Sequence, residues 1–205
     1  MAPDEIEALF TRDTGEYAFA RWGRPVVPVV FGVDDATLGV VKGAFEAMAV
    51  LSGHKLAETD PELGGNCLVF FLRDWTELVH VPDLVRLLPD LAELTARLDA
   101  AGARQYRLFH FDEAGAIRAA FVFLRMDEEM LAIPAEDLAL AQVTQVWLLW
   151  ADVAFPDRSP LAVAGGRTIL RPEIGDVIRA GYDPVLPAAA RDPSHALRLA
   201  ARLGS

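Results

Sequence analysis

One cysteine in 205 residues leaves no intramolecular disulfide framework. That residue, Cys67, lies in the apolar run CLVFFL, where a buried inert thiol is the ordinary outcome; a nucleophilic cysteine needs a cationic or polar setting that this run does not supply. Basic residues are short as well: 19 Lys and Arg stand against 30 Asp and Glu, giving a formal charge of −11 and a pI near 4.7. Broad contact with nucleic acid or an anionic membrane surface needs the opposite balance, so neither is expected as a partner. The acids are scattered and form no tail, which makes them chiefly a source of solubility and leaves a basic protein partner open.

No stretch offers about 20 uninterrupted apolar residues, and MAPDEIEALF has no basic segment followed by an apolar one. The expected compartment is therefore the cytoplasm. No internal repeat is visible. Gly165 and Gly166 before Arg167 are not followed by the Gly-Lys-Ser/Thr of a phosphate loop. His54, His80, His110 and His195 lie far apart, with none at i+2, i+3 or i+4 from another, so neither a metal site nor another cofactor is expected. Asp127, Glu128 and Glu129 match no calcium-loop spacing and read as solvated acids.

What is present is a globular composition, 53% apolar and 24% charged. Its organising stretch is Ala135–Trp150, AEDLALAQVTQVWLLW, apolar almost all round after its first turn except at Gln142, Thr144 and Gln145. This predicts a buried central helix, started by Pro134 with Glu136 and Asp137 at the positive end of its dipole. Trp147 and Trp150 are expected to fill the core.

The remaining elements follow in order. Residues 1–21 are expected to be a loosely docked lead-in carrying Ile6, Leu9 and Phe10, and 22–205 a single domain. RPVVPVVFG at 24–32 is a strand at an edge or beginning after Pro25. Asp34 and Asp35 can cap a helix with Leu38, Val41, Phe45, Met48 and Ala49 on one face, and Gly53 can stop it. His54–Gly65 is a short strand ending in a loop. Asn66–Leu72 is continuously apolar, hence a strand covered on both faces and central in its sheet. A short helix over 75–80 and a longer one after Pro82 lead to two strands, 104–111 and 116–125, joined as an antiparallel hairpin through Asp112–Gly115. Residues 126–133 are a loop and 151–171, with Pro156 and Pro160, an irregular segment. Helices over 172–180 and 192–203 close the chain, with a turn at Tyr182–Pro184. The class is α+β: a mixed sheet with an antiparallel hairpin, packed on the central helix and a helical C-terminal part.

This order is similar to that of the zincin metallopeptidase fold. Trp22-Gly23-Arg24-Pro25 leading into VVPVVFG, a first helix and then GGNCLVFF resembles the N-terminal half of such domains, and AQVTQVWLL at 141–149 falls where a zincin carries its HExxH helix. IRAGYDPVLP at 178–187 is similar to the C-terminal part of a bacterial family that looks like degenerate zincins. The resemblance implies that Ala141 stands for the first histidine, Gln142 for the glutamate base and Gln145 for the second histidine. Peptide hydrolysis of that kind needs two imidazoles one helical turn apart on a zinc ion and a carboxylate to take a proton from its water. By the resemblance the chain is a zincin-like pseudo-enzyme without the zinc site.

Buried amides need partners, since leaving one unpaired costs on the order of 1–3 kcal/mol. Gln142 and Gln145 therefore either tie the helix to backbone of a neighbouring loop or line the floor of a remnant cleft that binds a polar ligand or peptide. The expected function is a non-catalytic binding or interaction protein, with a peptide, a protein or a second copy as partner. The alternative is a hydrolase that uses a histidine and carboxylates, for which His54 with Glu58, Asp60 and Glu62 is the candidate cluster. His110 reads as a satisfied structural histidine and His195 as a solvated one.

Overall fold

The computed structural model describes residues 1–62, 64–152, 154–155 and 159–203. In chain order these form α1 (Pro3–Phe10), β1 (Phe19–Ala20), β2 (Pro28–Phe31), α2 (Asp35–Ser52), β3 (Cys67–Leu72), a 3-10 helix (Trp75–His80), α3 (Leu84–Leu87), α4 (Leu91–Ala100), β4 (Gln105–Phe111), β5 (Ile117–Arg125), α5 (Glu128–Leu131), α6 (Ala135–Trp147), β6 (Leu161–Ala164), β7 (Arg167–Leu170), α7 (Pro172–Gly181), β8 (Ala189–Ala190) and α8 (Ser194–Ala200). The class is α+β.

The main sheet has the order β2-β3-β5-β4, with β2, β3 and β5 parallel and β4 antiparallel to β5 at one edge. Helices cover both faces. Cys67, Val69, Val122 and Leu124 point into a core shared with α1, α2, α6, α7 and α8, while Phe70, Leu72, Phe121 and Phe123 pack on Trp75, Leu78, Leu91 and Leu98. Burial on both sides is why β3 and β5 are continuously apolar, and β3 is interior as its sequence implies. Asn66 joins β2 to β3: its Oδ1 accepts from the Val27 amide at 2.7 Å, and its Nδ2 donates to the Pro25 carbonyl and Asp60.

Several elements differ from the sequence expectation. The lead-in is not loosely docked: Ile6, Phe10 and Tyr17–Ala20 are buried, β1 pairs with β8 and α1 packs on α8. The helix after Pro82 is broken between α3 and α4, where Pro89 lacks an amide and keeps Leu88 out of helical geometry. Residues 128–131 form a helical turn capped by Asp127, whose side chain accepts from the Met130 amide. The irregular segment contains the β6–β7 hairpin, turned by Gly165 and Gly166 at φ of 57° and 75°; Pro156 lies outside the described residues. The tail helix is shorter, Ser194–Ala200.

The central helix ends at Trp147 rather than Trp150, and the reason is local. Its last carbonyls are buried among apolar side chains and take aromatic donors: Trp150 Nε1 donates to Thr144 O at 2.9 Å, Trp22 Nε1 to Val146 O at 3.0 Å and the Tyr182 hydroxyl to Trp147 O at 2.9 Å. Leu148 then turns extended, forms a bridge with Arg21, and the Leu149 amide donates to Ala20 O. Tyr182→Phe removes one of these caps and also the acceptor of the Trp22 amide. The expected loss is about 2 kcal/mol, read as a lower urea midpoint at unchanged m; an unchanged midpoint would show that the cap contributes nothing.

Candidate functional site

Two hollows, each of about 550 Å³, meet on the exposed side of α6. The first lies between α6 and the β6–β7 hairpin and is lined by Leu138, Ala141, Gln142, Gln145, Leu161 and Val163, among others. The second runs along β4, between Gln105–Phe109 and Leu149–Asp152, with Arg12 and Phe155 at its sides. Gln105 and Gln145 line both. Together they form a groove bordered by the edge of the sheet and the central helix.

The helical spacing of Ala141, Gln142 and Gln145 puts all three on this side of α6. Their circumstances differ. Gln142 is buried and engaged: its Oε1 accepts from Arg107 Nη2 at 2.7 Å and its Nε2 donates to Gln105 Oε1 at 3.0 Å. It thus ties α6 to side chains of β4, where the sequence suggested loop backbone. Gln145 is half-buried, and its amide has no hydrogen-bond partner among the described residues.

Arg107 is the residue that sequence reasoning missed. Alternation along β4 was the available signal, because an arginine sharing a strand face with Gln105 and Phe109 is carried toward α6. Its Nη2 also donates to Gln105 Oε1 at 2.9 Å, while its Nε is sealed from solvent without a partner. Burial lowers its pKa from the usual arginine range to about 10, with nearby Asp152 acting against the shift. No carboxylate lies within ion-pair distance of it among the described residues.

The other candidate residues are dispersed. His54 Nε2 sits 2.9 Å from the Arg24 carbonyl oxygen, and burial lowers its pKa. Asp60 and Glu62 pair with Arg24, and Glu62 also with Arg118, so these acids are held by arginines. His110 is exposed on the other side of β4, in a hollow shared with Asp90 and Glu93, and has no hydrogen bond to either. His195 is buried, not solvated, because it packs against Tyr17 and Phe19: its Nδ1 lies 3.0 Å from the Tyr17 hydroxyl, its ring lies against Phe19, and its Nε2 has no partner among the described residues. Asp127 and Glu129 pair with Arg104. Cys67 is fully buried and burial pushes its thiol up. Among the described residues no three His, Cys, Asp or Glu side chains converge on a point that a metal ion would occupy, and no helix is long and apolar enough to cross a membrane.

Two measurements test these arrangements. Gln142→Leu strips the half-buried Arg107 of an acceptor and is expected to cost about 1–3 kcal/mol. Adding Arg107→Met removes the stranded charge and is expected to restore most of the loss; additive costs in urea unfolding would mean that the two side chains are not coupled. Burial, with the charges of Arg198 and Arg202, lowers the His195 pKa to about 4. The unfolded chain therefore binds more protons between about pH 6.5 and 4, so stability present above this window is lost as pH falls through it, by roughly 2–4 kcal/mol. His195→Leu is expected to flatten the profile, and an unchanged slope would contradict the assignment.

Comparison with protein-family models, with curated proteins and with solved structures finds no match to this chain.

Proposed function

We propose that the chain is a non-catalytic, zincin-like binding protein whose groove takes an extended peptide along β4. The observation that carries the reading is the open edge of that strand. The Arg125 amide donates to Arg104 O, which fixes the alternation of the β4–β5 ladder. Residues 105, 107 and 109 accordingly turn their amides and carbonyls away from β5 and toward the groove, and no main-chain partner meets them among the described residues. A row of unpaired groups beside a hollow with apolar walls at Phe109, Leu149 and Phe155 suits strand addition, in which main-chain bonds supply affinity and side-chain pockets supply selectivity.

The zincin-like part of the reading is supported by position. Helix α6 follows the edge hairpin and presents Ala141, Gln142 and Gln145 to the groove. Zinc does not fit these residues. Alanine has no donor atom, Gln142 is spent on Arg107 and Gln105, and an amide neither binds zinc strongly nor takes a proton from water. The groove therefore has the form for holding a peptide without the chemistry for cutting it. A hydrolase assembled from a histidine and carboxylates has less to support it, since His54 bonds a backbone carbonyl and the acids near it are held by arginines.

The test is selection of displayed peptides of about 12 residues on the full chain, with counter-selection on Gln145→Trp, which fills the groove. Selected peptides are expected to slow amide hydrogen exchange at Gln105, Arg107 and Phe109 and to bind Gln145→Trp at least about tenfold more weakly. Peptides that bind both proteins equally, or protection confined to other strands, would refute the reading.

A further inference from the structure

Among the described residues, the hollow along β4 carries a positive charge with no acid paired to it. Among other half-buried arginines, Arg24 has Asp60 and Glu62, Arg125 has Asp99 and Asp127, and Arg202 has Asp183, while Arg21 lies against the Leu186 carbonyl and the Tyr182 ring and Arg171 donates to the Ser159 carbonyl, both outside the hollow along β4. Arg107 has only the neutral amide oxygens of Gln105 and Gln142, both on Nη2, and its Nη1 is left without a partner among the described residues. Arg12 lines the same hollow and has no ion pair among the described residues. Asp152, on the rim, is the hollow's one acid among the residues that line it. Among the described residues that line it, two guanidinium groups against one carboxylate leave a single net positive charge, in a protein whose net charge is −11.

Taking a guanidinium out of water with only neutral acceptors is unfavourable, and an ionised acceptor makes a shorter and stronger hydrogen bond than a neutral one. The two glutamines hold Arg107 by one nitrogen, so its planar group is oriented before any ligand arrives.

We propose that Arg107, assisted by Arg12, receives a carboxylate carried by the ligand of the groove, either an Asp or Glu side chain or a chain-terminal carboxylate. This rests on the peptide reading above and narrows it: the preferred peptide is acidic at the residue that lies over Arg107. A monoanion matches the single surplus charge, whereas a doubly charged phosphate would meet Asp152 with an excess of negative charge. The glutamines act here as positioning residues. Gln142 is no ligand contact in this arrangement, and the unengaged amide of Gln145 is available to the peptide main chain.

The full chain, labelled with nitrogen-15, is titrated at constant ionic strength with four probes: N-acetylglutamate amide, N-acetylalanine with its free carboxylate, N-acetylglutamine amide and inorganic phosphate. The two carboxylates are expected to shift the Arg107 Nε–H resonance saturably and the neutral amide is not; the stronger of the two shows whether a side chain or a chain end is received. Followed at the Gln145 side-chain amide, which wild type and variants all retain, Arg107→Met is expected to weaken carboxylate binding by about tenfold or more, and Asp152→Asn to strengthen it by about two- to fivefold. An equal response to the neutral probe, no saturation at Arg107, or tighter binding of phosphate than of either carboxylate would overturn the inference. If Arg107→Met does not fold, Asp152→Asn decides, and an unchanged affinity there counts against the site. Peptides selected through the groove that carry no acid, together with silent carboxylate titrations, would defeat the anion site and leave the peptide reading standing. Carboxylate binding lost with Arg107, but with no peptide selected, would do the reverse.

Discussion

A helix that ends inside a protein leaves carbonyl oxygens that water cannot reach, and this fold is arranged around satisfying them. The end of α6 is met by Trp22 from the segment before the sheet, Trp150 from just beyond the helix and Tyr182 from the end of α7. Each donor comes from a different part of the chain, so the helix terminus is where those parts are brought into register. Trp147, on the last turn, adds a fourth tie by donating to the Ser52 hydroxyl at the end of α2. The aromatic rings do two things here, filling volume and supplying the hydrogen bonds that an apolar core otherwise lacks.

Because the end of α6 is held, the side chains one and two turns earlier are placed as well. Gln142 meets β4 through Arg107 and Gln105, and Gln145 looks onto the groove beside it. Arg104 fastens the beginning of β4 to the turn before α6 by its pairs with Asp127 and Glu129. The first half of the edge strand is therefore tied to the helix and to the turn before it, while the outward main chain of β4 stays uncovered. A rigid frame around an unpaired strand edge suits recognition, since little ordering has to accompany binding.

Much of this was legible in the sequence. A continuous apolar run marked β3 as covered on two faces, the cap residue Asp34 and the stop Gly53 bracketed α2, and Asp112–Gly115 announced the hairpin. The misreadings came from long-range terms that periodicity does not encode. Trp150 looked helical because its neighbours are apolar, yet its indole turns back to cap the helix it was assigned to. His195 looked solvated from its Pro-Ser surroundings, but Tyr17 and Phe19 cover it. The β6–β7 hairpin was visible in LAVAGGRTIL, where a Gly-Gly pair sits between two short β-prone runs, and two nearby prolines concealed it. The site was half legible: unusual amides on an apolar helix drew attention to Gln142 and Gln145, but only pairing across 35 residues shows that Arg107 is what Gln142 serves.

The lone cysteine acquires a use from where it lies. Cys67 opens β3, between β2 and β5, with no exposed surface and a thiol held in its protonated form. A thiol reagent can reach it only when the core packed on that face of the sheet opens, so the labelling rate reports how often it does. In the ladder Cys67 pairs with Ala120, and Ala120 with Phe109, so it lies two strands in from the open edge. The protein thus carries its own reporter of cooperative opening, and it can show whether filling the groove is felt across the sheet.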